Sequence, residues 1–207
     1  MRNSENTKQK ILSTAQSLFF KQGYDRTSMK DIMNDGKLTK GAIYYHFKSK
    51  KEIFEQIMYD IDGNGKTIDF ILNNQELSGL EKLQTLVHIN LKNKEKAQIL
   101  SNASSLFLDN KIYGEIIRKN EKFEPLIANI IRLGNKDGSL QVVYEVEMAE
   151  QFIQFFNIWI GTQLYGLSEE RIHTKIVFYT QFFRDNGMNI INKETSELIY
   201  QYVGIFK

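Results

Sequence analysis

The chain has 207 residues, of which 42% are hydrophobic and 25% are charged, and its formal net charge is +2 at pH 7. These values are typical of a folded globular protein with one large domain, or with a small domain and a larger one. Cysteine is absent, which excludes disulfides, thiolate metal sites and cysteine nucleophiles. The chain has no apolar run of membrane-spanning length and no signal-peptide segment at its N-terminus, so we expect a cytoplasmic protein.

The charge is unevenly distributed along the chain. Residues 1–50 carry ten Lys and Arg against four Asp and Glu, a net charge of +6. Residues 51–207 carry 17 against 21, a net charge of −4. A basic N-terminal surface is typical of a protein that binds a polyanion such as nucleic acid, although many basic runs are only solvated surface.

The first 61 residues predict four helices. An amphipathic stripe covers residues 6–22, and capping-box spacing opens a short second helix over 28–35. A third helix, barely two turns long, spans 39–46, and Ser49 opens a fourth with a regular apolar stripe. Helices two and three are separated by a four-residue turn, which is the pattern of a helix-turn-helix.

The rest of the chain also predicts helices. No period-2 run of strand length stands out, so the expected fold is all-α, with an N-terminal helix-turn-helix domain (1–57) and a larger helical domain (58–207). Pro125 is expected to bend or divide one long helix, and a turn is expected at 135–138. One predicted helix begins at Ser78. The others cover 97–108, 110–133, 145–165 and 168–186.

The two helices predicted over 145–165 and 168–186 are apolar around much of their circumference. Helices of this kind must be covered on both sides, which favours half of an intersubunit four-helix bundle. The alternative is a large core within one chain. The residues predicted for a dimer interface are Phe152, Phe155, Tyr179, Phe182 and Phe183.

The helix over 39–46 would enter the major groove of DNA, because the second helix of a helix-turn-helix pair does so. Its tyrosines offer apolar faces to thymine methyls and hydroxyls to phosphates, while Thr39 and Lys40 reach base edges. Lys48, Lys50 and Lys51 surround the start of the fourth helix, where backbone amides also favour a phosphate. The pattern therefore predicts a double-stranded DNA interface.

Residues 7–57 resemble the N-terminal domain of the TetR-like family of transcriptional repressors. The resemblance is carried by Phe19 or Phe20 with Gly23 and Tyr24, then by a Thr-Ser helix start, and then by the block KGAIYYHFKSK from Lys40. It implies a homodimer that binds a palindromic operator and responds to a small-molecule inducer, with residues 58–207 as the helical ligand-binding and dimerisation domain. The DNA contacts that it implies are Thr27, Ser28, Thr39, Lys40, Gly41, Tyr44, Tyr45, His46 and Lys50.

One position departs from the family pattern. The family usually has Ala-Gly in the turn before the third helix, where this chain has Gly36 and Lys37. The left-handed turn position must therefore either strain Lys37 or move to Gly36.

The C-terminal part predicts a mostly apolar ligand cavity, because aromatic side chains with few polar groups typically line such pockets. Each ring has core packing as its alternative. No buried counter-charge is evident, so the expected ligand is apolar or amphipathic, and no metal or cofactor is expected. The candidate residues are His88, Phe107, Tyr113, Phe123, Phe156, Trp159 and Tyr165, with His88 and Trp159 as polar handles.

Two other functions fit parts of the sequence. A helical adaptor would use the broad apolar helices for a protein partner and keep the N-terminal domain without specific DNA binding. An enzyme would use the C-terminal helices to hold a small apolar substrate, but no nucleophile and base pair or metal set is evident in the sequence.

Overall fold

The computed structural model describes residues 2–61, 66–101, 103, 110–160 and 168–204. All regular structure in these ranges is helical, which confirms the all-α prediction. The elements are α1 (Arg2–Gln22), α2 (Met29–Asp35), α3 (Lys40–His46), α4 (Lys50–Ile61), α5 (Lys66–Asn73), α6 (Gly79–Lys92), α7 (Lys94–Ser101), α8 (Asn110–Asp137), α9 (Glu145–Ile153), a π-helix (Gln154–Ile160), α10 (Glu169–Asp185) and α11 (Lys193–Gly204).

Helices α1 to α4 enclose an N-terminal core. Helix α1 buries Ile11, Ala15 and Phe19 on one side, and α2 and α3 each bury one isoleucine against it. The Phe19 ring centroid lies 5.2 Å from that of Tyr24 and 6.0 Å from that of Phe54. Because seven-residue helices such as α2 and α3 are marginal in water, this packing is what holds them in place.

A second core, which we call the C-terminal core, forms around α8. This helix packs against α6 and α9, and α6 also packs against α11. A Cβ on Gly79 would lie 2.3 Å from the backbone of Gly134, so α6 begins where its backbone touches that of α8. The Gly79 N–H donates to the Asp137 carboxylate at 2.8 Å, which fixes the start of α6 on the end of α8.

Helix α7 contributes to both cores. Ala97 lies in the C-terminal core, whereas Ile99 and the following Ala103 lie in the N-terminal core, and all three are fully buried. Near the start of α7, Gln16 Nε2 donates a hydrogen bond of 2.9 Å to Glu95 Oε1. A displacement of α7 against one core must therefore disturb its packing against the other.

The π-helix continues α9 and carries much of a cluster of aromatic rings. The Phe155 ring centroid lies 5.4 Å from that of Trp159, 4.2 Å from that of Tyr179 and 5.8 Å from that of Phe183. These contacts join the π-helix to α10. We call the following residues the ring cluster: Phe152, Phe155, Phe156, Trp159, Tyr179, Phe182 and Phe183.

Several predicted boundaries differ from the structure. Helix α8 runs without division through Pro125, because the buried residues that follow, including Ile127 and Ile130, hold this part of α8 in the core. The expected turn at 135–138 begins later, since the helix continues to Asp137 and Gly138 then takes a positive φ of 82°. The helix predicted over 97–108 starts at Lys94, and its part beyond 103 lies outside the described residues. Helix α11 was not predicted as a separate element.

Candidate nucleic-acid interface and ligand-binding region

The start of α2 is held by the predicted capping box. The Ser28 N–H donates to Asp31 Oδ2 at 2.8 Å, and the Asp31 N–H donates to Ser28 Oγ at 3.1 Å. The Ser28 side-chain hydrogen bond is the main reason why the pKa of Asp31 lies below its ordinary value. Ser28 is exposed, so its position suits an outside contact.

Thr27 lies in a different environment from Ser28. Its side chain is 2% exposed, its Oγ1 donates to the Gly23 carbonyl oxygen at 2.8 Å, and it accepts a hydrogen bond from Gln22. The resemblance implies a phosphate contact at Thr27, but its hydroxyl is inside the structure and stabilises the turn after α1.

The turn between α2 and α3 is a Schellman motif. The Leu38 N–H donates to the Met33 carbonyl oxygen at 2.8 Å, and the Lys37 N–H donates to the Asn34 carbonyl oxygen at 3.2 Å. Lys37 takes the left-handed position with a φ of 47°, so of the two alternatives for this turn the structure has the strained lysine. A left-handed non-glycine residue costs roughly 1–2 kcal/mol.

Gly36 does not take the left-handed conformation, and there is little room for a side chain at this position. Its φ is −74°, and a Cβ at this residue would lie 2.8 Å from Leu38 Cδ1 and 2.9 Å from the Ile32 carbonyl oxygen. A side chain at position 36 would therefore need its neighbours to shift, and Lys37 carries the strain of the turn.

Helix α3 turns its apolar residues inward and its predicted contact residues outward. Thr39 is the N-cap, and its Oγ1 accepts from the Ala42 N–H at 3.2 Å. Ile43 is fully buried in the N-terminal core. The exposed residues are Thr39, Lys40, Gly41, Tyr44 (43% exposed) and Tyr45 (79% exposed).

His46 ends the exposed face of α3. Its ring is half-buried and meets the Tyr45 ring edge-on, with centroids 5.0 Å apart. Phe47 follows and is 3% exposed, so it anchors the end of α3 in the core. The face from Lys40 to His46 is thus a fixed surface of polar and aromatic groups.

The lysines at the start of α4 have different roles. Lys48 is exposed, and its backbone N–H donates to the Glu52 carboxylate at 2.6 Å, while Ser49 Oγ accepts from the Glu52 N–H at 3.2 Å. Lys50 Nζ instead donates to the Tyr24 carbonyl oxygen at 2.6 Å and lies 4.0 Å from the Tyr24 ring centroid. Desolvation is the main reason why the pKa of Lys50 is lowered.

Lys50 therefore joins the start of α4 to the turn after α1. The resemblance implies a phosphate contact here, but in the structure the Lys50 ammonium donates its hydrogen bond to the Tyr24 carbonyl oxygen. Lys48 presents its charge to solvent in the same region. The sequence analysis placed both lysines at the start of the fourth helix and had no signal that separated Lys48 from Lys50.

Of the predicted ligand-binding residues that the structure describes, Phe156 and Trp159 lie in one cluster, whereas His88 and Phe123 lie elsewhere in the C-terminal core region. His88 lies between α6 and α11, where Nε2 is 2.8 Å from Thr195 Oγ1 and Nδ1 is 3.7 Å from Glu194 Oε1. Phe123 is half-buried against the C-terminal core. The positions of Phe107 and Tyr165 and the side chain of Tyr113 lie outside the described part of the chain.

Trp159 and Phe156 belong to the ring cluster. Trp159 is 7% exposed, and Lys175 Nζ lies 4.7 Å from its ring centroid. Desolvation is the main reason why the pKa of Lys175 is lowered. This half-buried cation was not predicted, because only the fold brings a lysine of α10 to the tryptophan.

The residues predicted for a dimer interface are mostly inside one chain. Phe152, Phe155 and Phe183 are at most 5% exposed, and Tyr179 and Phe182 are half-buried. The predicted broad apolar surface therefore covers an intrachain core as well as any interface. The exposed apolar side chains of α10 are Val177 (54%) and Phe178 (59%), which the sequence analysis did not single out for the interface.

Two grooves lie elsewhere on the surface. One, of about 830 Å³, runs between α1 and α7 beside the Gln16–Glu95 hydrogen bond. The other, of about 640 Å³, lies at the end of α5 around Phe70. Neither is lined by a residue predicted to bind the ligand. In the described ranges, no helix is both long enough and apolar enough to cross a membrane.

Two family models match the chain. One, described as "Bacterial regulatory proteins, tetR family", matches residues 11–57, and the other, described as "Tetracyclin repressor-like, C-terminal domain", matches residues 86–182. The first includes α2 and α3 with its exposed face. The second covers the region from α6 into α10.

Relatives with curated names are transcriptional regulators. The HTH-type transcriptional repressor KstR2 of Rhodococcus jostii is 25% identical over 164 residues, covering 75% of this chain and 78% of that protein. IcaR of Staphylococcus aureus strain Newman, named as a negative transcriptional regulator of the biofilm operon icaADBC, is 32% identical over 126 residues, covering 58% of this chain and 67% of that protein.

Solved structures show the same fold. A transcriptional regulator from Cytophaga hutchinsonii matches with a TM-score of 0.60 at 19% identity and covers 95% of this chain and 94% of its own. The structure of α1 to α4, both family models and the named relatives agree. By this evidence the chain is a transcriptional regulator and a member of the TetR family of bacterial regulatory proteins.

Proposed function

We propose that the chain is a cytoplasmic repressor that binds a palindromic operator as a homodimer and leaves it when a small apolar or amphipathic ligand binds. The observation that carries the DNA part is the exposed face of α3, where Tyr44 and Tyr45 stand outside the core on a helix that Ile43 fixes from below. Exposed tyrosine side chains suit contacts with sugars, thymine methyls and phosphates.

The contacts differ in kind along this interface. Thr39, Lys40 and Gly41 lie at the start of α3 and would enter the groove, while the tyrosines and His46 would follow the sugar-phosphate backbone. Ser28 at the start of α2 and Lys48 at the start of α4 would hold phosphates on either side. Lys50 would act indirectly, by fixing α4 against the Tyr24 carbonyl.

A salt titration tests the DNA part of this proposal. The wild-type protein should bind duplex DNA with an affinity that falls steeply as salt rises, because phosphate contacts release counterions. Tyr45→Ala should keep the thermal stability, since the ring is 79% exposed, and should lose affinity. Weak binding with a flat salt dependence would instead favour the adaptor function.

The dimer would form through α10 and the adjoining part of the π-helix. Val177 and Phe178 are neighbouring apolar side chains on the exposed surface of α10, and Phe182 lies one turn beyond Phe178, with ring centroids 6.1 Å apart. Covering such a surface with a second copy removes apolar area from water. The ring cluster beneath would make this surface rigid.

The coupling between ligand and DNA would pass through α7. Ala97 packs in the C-terminal core and Ile99 packs in the N-terminal core. A ligand that shifts α7 would therefore change how α7 packs against α1 and α4. That change would alter the spacing of the two α3 helices, which must match half-sites about 34–36 Å apart. A coupling free energy of about 1–3 kcal/mol is typical of such systems.

The ligand would enter the C-terminal core near the ring cluster. Aromatic and aliphatic side chains there favour an apolar body, and Lys175 above Trp159 supplies a cation for an acidic headgroup. A thermal-shift and DNA-release screen should therefore give hits among hydrophobic and amphipathic compounds, with loss of the hits in Trp159→Leu. Hits restricted to phosphorylated metabolites would contradict this ligand class.

A further inference from the structure

Lys37 is a strained residue at the centre of the helix-turn-helix. Of the residues that the structure describes, it is the non-glycine residue with a positive φ, at 47°. The left-handed C′ position of a Schellman motif is usually taken by glycine, because a Cβ there is unfavourable. A lysine at this place therefore weakens the fold relative to glycine.

The fold does not use the Lys37 side chain in return. The residue is exposed, and within the described ranges its ammonium forms no hydrogen bond or ion pair with another residue. Exchanging the two turn residues would bring a side chain at position 36 within 2.8 Å of Leu38 Cδ1 and 2.9 Å of the Ile32 carbonyl oxygen, so these neighbours would have to shift. No contact within the described ranges explains a lysine at this position.

The position of Lys37 indicates which partner its side chain suits. It lies two residues before Thr39, the N-cap of α3, and next to the start of the exposed face formed with Lys40 and Gly41. A lysine carries its charge on a long flexible stem, so a residue just outside the groove can reach a phosphate beside it. Strained backbone retained at a functional site is a recognised pattern.

We propose that Lys37 binds a phosphate of the DNA backbone beside the groove that α3 enters, and that this contact is the reason for the strained lysine. The inference rests on the proposed DNA binding. In a dimer on a palindrome, each half-site would gain one such contact.

The experiment measures thermal stability and DNA affinity of four variants against a duplex that the wild-type protein enriches from a random pool. Lys37→Gly and Lys37→Asn should raise Tm by about 2–4 °C, because both residues accept a positive φ. Both should bind DNA about five-fold more weakly per half-site at physiological salt, and the slope of log K against log salt should fall by about one per half-site.

Two further variants serve as controls. Lys37→Arg should keep the wild-type affinity and salt slope, since it keeps the charge. Lys136→Gln removes an exposed lysine from the end of α8 and should change neither affinity nor slope. If Lys37→Gly binds DNA with an unchanged slope, or if it melts at a lower temperature than the wild type, this inference is wrong. A wild-type protein without salt-dependent DNA binding would contradict the proposed function itself.

Discussion

Gly41 lies on the exposed face of α3, where an added Cβ would meet no other atom within 4 Å. The fold therefore does not require glycine at this position, although glycine in a helix costs about 0.5–1 kcal/mol relative to alanine. In the proposed DNA complex, a glycine here would let the α3 backbone approach the DNA closely. Gly36 differs from Gly41 in this respect, because a Cβ at Gly36 would lie within 3 Å of other atoms of the chain.

Gly41→Ala is accordingly expected to raise stability and lower DNA affinity together. Unfolding should cost about 0.5–1 kcal/mol more, as measured by denaturant titration, and DNA binding should weaken by at least about ten-fold. Gly204→Ala is the matched control, because Gly204 is equally open but lies at the end of α11. An alanine at position 41 that leaves DNA affinity intact would remove Gly41 from the interface.

Lys50 and Lys48 should behave differently although only one residue lies between them. Lys50→Ala removes the hydrogen bond to the Tyr24 carbonyl and the contact with its ring, so stability should fall by about 1–2 kcal/mol. Lys48→Ala should leave Tm unchanged and reduce the salt slope of DNA binding by about one per half-site. Equal Tm values for the two variants would mean that the Lys50 contact contributes no stability.

At the scale of elements, local chemistry explains which helices could be predicted. The capping boxes at Ser28 and Ser78 depend on residues three positions apart, and both form as the sequence indicates. The inward turn of Lys50 depends on Tyr24, 26 residues away, and so has no local signal. The breadth of the apolar surface on the π-helix and α10 likewise could not show that Phe155 and Phe183 face their own chain.

Helix α11 is attached to α6 through His88, and this contact should make stability depend on pH. Burial is the main reason why the pKa of His88 lies below its ordinary value, so the folded state prefers the neutral ring. The unfolded chain then binds the proton more readily than the folded one between the folded pKa and about 6.5. Stability should therefore be highest above that window and fall as the pH drops through it.

His88→Gln should flatten this part of the pH dependence, because glutamine can still donate to Thr195 but does not titrate. The measurement is the free energy of unfolding at several pH values between about 5 and 8. His173→Gln is the control, since His173 is exposed on α10 and its ring contacts Tyr200, away from the Thr195 hydroxyl. An identical pH profile for His88→Gln and the wild type would show that protonation of His88 does not weaken the α6–α11 contact.

At the scale of the whole molecule, the proposed dimer needs a surface that one chain leaves exposed. Phe178→Asp places a charge on such a surface and should yield a folded monomer, whereas Phe183→Asp buries a charge in the core and should unfold the chain. Sedimentation and far-UV circular dichroism distinguish the two results. A folded dimer of Phe178→Asp would move the interface away from this part of α10.

Our central proposal is that a pair of these chains reads a palindrome, and the family model matches and the exposed face of α3 support it. Selection of bound duplexes from a random pool by the wild-type protein tests it most directly. We predict enrichment of an inverted repeat whose half-sites lie about one helical turn or a multiple of it apart. Enrichment of a single half-site without symmetry, or of no sequence at all, would contradict the account.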